Sequence, residues 1–394
     1  LFHLIQTAAG FEIVVKILRK CCPTGEVARF SAKDSLDSQQ RLLSFNEKTK
    51  DWGNAMEARE LRHRLDGDNM APLWEVLRGL TPREPRKVID STVWRAETIR
   101  ANMAIACESI SAEDAERRVL VLENKRLRGR SMATNSLYAG IQMILPGETA
   151  PSHRHTASAL RLILAGEGGF TTVDGEKVIM SKGDFIITPA DVFHDHGAEG
   201  SDPVMWLDGL DVPIVQLLNA GFSADDTNRR QGLKRPVGDA IARYASGLTP
   251  AGYVAGATAS PLFHYPYARA KAALIQLAQA DEWDAAEALK LRYTDPTTGR
   301  SPIASMAAFL QLFPAGFHGL AYRETDASVA CIVEGKLRVT IGGEPIELRE
   351  GDVFVLPGWE WKSFEADESC VLFSFSDRPL QESLGFWRSE KAAA

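Results

Sequence analysis

Two stretches of this chain spell nearly the same pattern. "LILAGEGGFTTVDGEKVIMSKGDFIITP" at 162–189 lies over "CIVEGKLRVTIGGEPIELREGDVFVLP" at 331–357, differing by one residue in the hairpin. Gly166 pairs with Gly335, Gly183-Asp184 with Gly351-Asp352, and Pro189 with Pro357. Further on, "DVPI" at 211–214 meets "DRPL" at 377–380. A repeat constrains architecture more than either copy alone, because one supersecondary unit must be built twice. Each copy consists of short β-branched runs broken by Gly, Pro and Asp-Gly turns. Strands so closely spaced, with no helices between them, form an antiparallel sandwich or barrel.

The chain is therefore expected to be mainly β, with two small barrels. A helical N-terminal region would cover 1–130, the first barrel 131–220, a helical connector 221–315 and the second barrel 316–394. Within the first region "NMAPLWEVLRGLTPREP" offers an amphipathic helix stopped by Pro82 and Pro85. "SAEDAERRVLVLEN" opens on a capping signal at Ser111. In the connector, "YARAKAALIQLAQADEWDAAEALKLRY" reads as helix throughout.

A length of 394 residues allows two ordinary domains. A net charge of −7 argues against nucleic acid as a partner, though a local cluster of arginine and metal can still attract a small anion. Cys21, Cys22, Cys107, Cys331 and Cys370 are scattered, odd in number and without metal-finger spacing, which suits a reducing, cytoplasmic setting. The opening "LFHLIQTAAGFEIVVKILRKCCPTGE" is interrupted by Glu12 and Lys16. It is too short and charged to span a bilayer, and it lacks the basic start of a signal peptide. An amphipathic helix packed on the body or a neighbouring subunit is expected there.

The first copy contains "PSHRHTAS". Strand alternation sends His153 and His155 to one face and Arg154 to the other. After "GDFIITPADVF" come His194 and His196. A neighbouring strand can then bring His194 to the point that His153 and His155 face. A single histidine is usually a satisfied core or surface residue. Three in this frame are not, because burying several imidazoles without a metal or partners is costly. The second copy places Tyr322, Glu324 and Lys362 opposite His153, His155 and His194, so the second barrel should bind no metal. His264 and His318 stand alone and read as core or surface histidines.

Other residues around the trio share its fate. Arg161, six after His155 and read as lying on the same strand, keeps the inward face by parity. Gln142 is inward on the preceding strand, His196 shares a face with His194, and Asp208 ends "VMWLD". Arg161, His196 and Asp208 become Ala330, Phe364 and Ser374 in the second copy. A set lost together with the metal ligands fits one shared active site.

The frame Gly147, His153-x-His155, Gly166, then Gly183, Pro189, His194 resembles the cupin signature. Many metal-binding cupins supply a Glu four residues after the second His, where this chain has Ala159. Three neutral imidazoles then leave a divalent ion its full charge and a face of open positions, favouring a chelating anion with room for dioxygen. Imidazoles suit iron, zinc, copper and nickel alike, so the donors do not name the metal.

From about Trp52 to Trp387 the chain resembles the gentisate 1,2-dioxygenase group of bicupins, which includes salicylate and 1-hydroxy-2-naphthoate dioxygenases. "MAPLWEVLRGL", "RRVLVLEN" and "SPLFHYPYARA" carry the likeness along with the histidine frame. The resemblance implies a bicupin of two double-stranded β-helix (jelly-roll) barrels. It also implies one Fe(II) per subunit on His153, His155 and His194, and a homotetramer. Arg161, Gln142, Arg117, His196 and Asp208 are implied to line the substrate pocket. His196 and Asp208 would help the substrate hydroxyl lose its proton, and "ERR" could present Arg118 in place of Arg117. The rival readings are a metal-bound isomerase or hydrolase that uses no oxygen, and a non-catalytic ligand-binding bicupin.

Overall fold

A computed structural model describes residues 55–254, 259–280 and 282–393. The amphipathic helix expected at the N-terminus lies outside them. Contacts divide the chain at Arg83. The described part of the first unit holds helices α1 (Ala55–Gly67) and α2 (Leu73–Leu80), and Arg62 pairs with Glu75 at 2.7 Å. α2 stops just before Thr81-Pro82, where proline's missing N–H and its bias on the preceding residue end helices.

The second unit holds both barrels. It begins with β1 (Val93–Trp94), α3 (Ala96–Ser109) and a short α4 (Ala112–Ala115) capped by Ser111, whose Oγ accepts from Asp114 N at 3.0 Å. The first barrel follows: β2 (Val119–Val121), β3 (Tyr138–Ile144), β4 (Thr149–His155), β5 (Ala159–Ala165), β6 (Gly169–Val173), β7 (Glu176–Ile179), β8 (Phe185–Thr188), β9 (His194–Ala198) and β10 (Val204–Leu210). After it come α5 (Val212–Leu217), β11 (Ser223–Asp225) and α6 (Asp239–Tyr244). The second repeat runs through β12 (His264–Tyr265), α7 (Tyr267–Ala278), β13 (Leu289–Arg292), β14 (Ala307–Phe313), β15 (Phe317–His318), β16 (Tyr322–Glu324), β17 (Ser328–Glu334), β18 (Lys336–Ile341), β19 (Glu344–Arg349), β20 (Val353–Leu356), β21 (Lys362–Ala366) and β22 (Cys370–Ser376). It closes with α8 (Arg378–Ser383) and β23 (Ser389–Lys391).

Each barrel is two antiparallel sheets. The first has the orders β12-β8-β5-β10-β3-β2 and β11-β4-β9-β6-β7. The second has β1-β20-β17-β22-β14-β13 and β19-β18-β21-β16-β23, with β15 beside β21. The repeat is thus longer than its sequence match. It starts at a two-residue strand, and each copy lends that strand to the other barrel: β1 pairs with β20, and β12 with β8. The aspartate of each Gly-Asp pair fastens the exchange. Asp352 accepts Ala96 N at 2.9 Å at the start of α3, and Asp184 accepts Tyr267 N at 2.9 Å at the start of α7. A carboxylate at a helix N-terminus satisfies an orphan N–H and favours the dipole.

The two six-stranded sheets share one core. Leu160, Leu162 and Leu207 of the first meet Val329, Cys331, Phe373 and Phe375 of the second, all buried. This apolar seam decides the parity of β5: with Leu160 and Leu162 on the seam, Arg161 and Ile163 must point into the first barrel. Gly166 and Gly335 turn matching hairpins with φ near +90° and +80°, where an added Cβ would strike the carbonyl of Pro203 or Ser369.

The stretch 267–293 is not one helix. α7 ends at Ala278, and the chain turns through Ala288 at φ +53°. The Asp284 carboxylate accepts Ala286 N and Glu287 N there, and "LKLR" continues as a strand paired with β14. An alanine-rich pattern favours helix locally, but the open edge of β14 offers a ladder of hydrogen bonds and wins. No helix among the described residues is long and apolar enough to cross a membrane.

Candidate metal centre

β4 and β9 run antiparallel with His153 directly opposite His194, past a bulge that follows Ala150. His155 sits two residues on, on the same face. Each ring fixes its own tautomer through a backbone carbonyl: His153 Nδ1 to Pro151 O at 2.9 Å, His155 Nδ1 to Ala157 O at 2.7 Å, His194 Nδ1 to Val192 O at 2.9 Å. A carbonyl accepts only, so Nδ1 carries the proton and Nε2 keeps its lone pair. The three free nitrogens converge within 4.8 Å of one another.

His194 Nε2 is buried and has no hydrogen-bond partner. Burial, followed by the nearby arginines, lowers all three imidazoles, His153 to about 4. Neutral donors aimed at one point, one of them orphaned in the interior, fit a divalent cation. Ala159 brings no carboxylate to the set.

The chain leaves β4 at His155, turns through 156–158 and returns as β5. Arg161 is therefore not on the histidine strand, as the even spacing suggested, but on a strand of the other sheet. It points inward because of the leucine seam. Its guanidinium is held on three sides with N–H groups to spare: Nη1 donates to Thr188 Oγ1 at 2.6 Å, Nη2 donates to His196 Nε2 at 3.2 Å, and Nε forms an ion pair with Asp208 Oδ1 at 3.2 Å. Arg161 and Asp208 stand opposite each other in the β5–β10 register. Asp208 lies within β10 and does not end it. Burial pushes its carboxyl up to about 6, with Arg161 pulling it down. Because Arg161 donates to His196 Nε2, the His196 proton sits on Nδ1, which has no partner.

A cavity of about 460 Å3 opens over the trio. Its walls include Gln142, Arg161, His196, Asp208 and Arg117, the five residues expected to line a substrate pocket. Of nine buried side-chain polar atoms without a hydrogen bond among the described residues, five line it, on Gln142, Arg161, His194, His196 and Asp208. Such concentration marks a site built for a polar ligand. Between the paired arginines, Arg118 is turned away, with Nη1 and Nη2 each 2.9 Å from a Glu148 oxygen, and Arg117 faces the cavity.

Several wall residues carried no sequence signal. Val119, Val212, Val215, Gln216 and Phe222 come from segments whose approach depends on tertiary packing. Tyr138 in the wall, four before Gln142, and Thr188, which holds Arg161 from β8, could have been reached by parity alone. His264 and His318 lie away from the trio; His264 Nε2 pairs with Asp184 at 2.7 Å.

Among the described residues, the matching positions of the second barrel bring no such trio together. Tyr322 faces Lys362 in the register where His153 faces His194. Lys362 Nζ lies 3.5 Å from Glu324 and 4.5 Å from the Tyr322 ring centre. Ala330 and Ser374 pair where Arg161 and Asp208 do.

Comparison with known proteins follows this geometry. A cupin-domain model matches residues 140–211 and 309–375. The chain is similar to gentisate 1,2-dioxygenase 1 of Aquipseudomonas alcaligenes, with 41% identity over 349 residues, covering 89% of this chain and all of the relative. It is similar also to the 1-hydroxy-2-naphthoate 1,2-dioxygenase of a Nocardioides strain, with 32% identity over 76% of this chain and 78% of the relative. Among solved structures, salicylate 1,2-dioxygenase of Pseudoaminobacter salicylatoxidans, as an adduct with gentisate, superposes with a TM-score of 0.81 at 31% identity. The match covers 86% of this chain and 95% of that one.

Proposed function

The chain belongs to the gentisate 1,2-dioxygenase family of bicupins, and from that premise we propose that it is an Fe(II)-dependent enzyme that opens the ring of gentisate (2,5-dihydroxybenzoate) with O2 to give maleylpyruvate. The observation that carries this reading is the set of three neutral imidazoles, without a carboxylate, beneath a cavity walled by arginine.

His153, His155 and His194 would hold the ion through Nε2. A ferrous ion there would supply Lewis acidity toward a chelating carboxylate and hydroxyl and redox chemistry between ring and O2. The protein's own groups do the rest. Arg161, with Arg117 at the mouth, binds the substrate carboxylate by charge-assisted hydrogen bonds. The fixed contacts of Arg161 to Thr188 and Asp208 hold it in place before substrate enters. Gln142 Nε2 offers a donor to a ring oxygen. Asp208, ionised above about pH 6, accepts the proton of the 5-hydroxyl, a general-base role, while the Nδ1–H of the neutral His196 donates to a substrate oxygen beside it. Both atoms of O2 enter the product as the bond between the carboxylate-bearing carbon and its hydroxylated neighbour is cut.

Salicylate and 1-hydroxy-2-naphthoate, named among the relatives, lack a 5-hydroxyl to activate the ring, so gentisate suits an Asp208 base better. Oxygen uptake by the Fe(II)-loaded chain over these three acids tests the reading. Consumption with gentisate and a matching rise of maleylpyruvate support it. Anaerobic turnover, or equal activity with zinc, points to the isomerase or hydrolase instead. A homotetramer and a cytoplasmic setting complete the proposal, the latter on the free thiols of Cys107, Cys331 and Cys370.

A further inference from the structure

In the first barrel's smaller sheet, β4 carries two of the three metal-site histidines and lies between β9 and the three-residue β11. Without β11 it would be an edge strand, with unpaired backbone groups and a bulge beside His153. Edge strands open most readily, which is a poor support for metal ligands. The chain covers that edge with residues 221–231, which touch neighbours of all three histidines. β11 pairs along β4 with Asp225 opposite His153 and Ser223 opposite His155. After His155, Thr156 N donates to Phe222 O at 3.0 Å, and Phe222 N donates to Thr156 Oγ1 at 2.9 Å.

Before His153, Ser152 is tied three times. Its N donates to Arg229 O at 2.9 Å, its O accepts Asp226 N at 3.0 Å, and its Oγ donates to Asp226 Oδ2 at 2.9 Å. On both sides of His194 the contact is Gln231. Its N donates to Asp195 Oδ2 at 2.7 Å, and its Nε2 donates to Phe193 O at 3.0 Å and Thr172 O at 2.8 Å. The Gln231 Oε1 accepts Gly175 N at 3.0 Å, so every polar atom of the side chain is used. One eleven-residue segment thus grips β4 and β9 together: its first residues, Gly221, Phe222 and Ser223, line the cavity, and Asp226 and Gln231 lie outside it.

We propose that residues 221–231 are a strap that sets how firmly the metal is held, with Asp226 and Gln231 as its positioning residues. Neither residue touches the metal position; each acts through a ligand's chain neighbour. The inference rests on the three histidines holding a divalent metal and is independent of which ring acid is cleaved. Partners that orient metal ligands in this way are commonly worth about 10- to 100-fold in affinity.

The test uses the full chain loaded with one Co(II), challenged with excess EDTA, and followed by the visible bands of the ion. Gln231→Ala and Asp226→Ala should release Co(II) about 10-fold faster than wild type or more, with altered bands. Asp226→Asn, which keeps an oxygen for Ser152, should stay close to wild type. Circular dichroism of the metal-free proteins separates this from loss of fold. If Gln231→Ala does not fold, Ser152→Ala, which removes one hydroxyl, must still hasten release. Release at the wild-type rate in variants that fold overturns the strap. A wild-type chain that takes up no Co(II) overturns the metal reading beneath it as well.

Discussion

Lys362 puts its ammonium 3.5 Å from the Glu324 carboxylate inside the second barrel, in the positions that His194 and His155 occupy in the first. A cation of the side chain stands where the first barrel collects lone pairs for a cation from solution. Glu324 is buried, and burial raises its carboxyl while Lys362 lowers it. Removing one partner of a buried pair leaves a charge without compensation. Lys362→Met should therefore cost about 3 kcal/mol of stability, and adding Glu324→Gln should recover most of it. Denaturant unfolding of the two variants checks this, with metal content unchanged at one per chain in both. An unaffected Lys362→Met variant means that Arg378, 3.6 Å from Glu324, already suffices.

On the proposed reading, holding the metal and holding the substrate fall to different residues of the first barrel, and mutation should separate them. His155→Ala removes one of three converging nitrogens, and both metal content and oxygen uptake should vanish. Arg161→Ala leaves the trio intact but removes the group that faces the substrate carboxylate. Metal content should stay near one per chain while kcat/KM falls about 100-fold, the scale of a lost charged hydrogen bond. Metal analysis beside an oxygen electrode reads both. Loss of metal in Arg161→Ala would make Arg161 a support of the trio, with no separate substrate role.

The seam between the barrels explains which parts of this site could be read in advance. Strand parity and the repeat are short-range facts, so the trio, Gln142, His196 and Asp208 were within reach. Even spacing from His155 puts Arg161 on the wrong strand: what turns it inward is the burial of Leu160 and Leu162 against Phe373 and Phe375. The choice between Arg117 and Arg118 depended on Glu148, thirty residues on, which no local pattern announces. The exchange of β1 and β12 was hidden because two-residue strands have no periodicity. Residues 221–231, read as part of a helical connector, lie on β4 because its edge needed a partner.

The acid limb of turnover should belong to Asp208. Its carboxyl is raised from 3.8 to about 6 by burial, so it is neutral below that pH and ionised above it. Turnover should fall as the pH drops through about 6, where Asp208 can no longer accept a proton. The same shift acts oppositely on stability. The folded chain holds this proton more tightly than the unfolded one, so the contribution is full below pH 3.8 and is lost as the pH rises through 6. In Asp208→Asn the residual rate should lose the limb. A limb that persists near 6 assigns it to another group and removes Asp208 as the base.

The open face of the metal site can be closed by one substitution. Ala159 lies on β5 two residues from Arg161, and Thr188 faces it on β8. Parity with Arg161 and Ile163 aims its Cβ into the barrel, away from the leucine seam. Ala159→Glu would add a charged oxygen to three neutral nitrogens and take a position that substrate and O2 need. The variant should hold its metal longer against a chelator than wild type, yet lose about 100-fold or more in oxygen uptake. Ala159→Gln, of equal size without the charge, separates ligation from crowding: it should not prolong metal retention. If Ala159→Glu keeps its metal longer and still consumes oxygen at the wild-type rate, the vacant positions are not what the chemistry requires, and the three-nitrogen set loses its explanatory role.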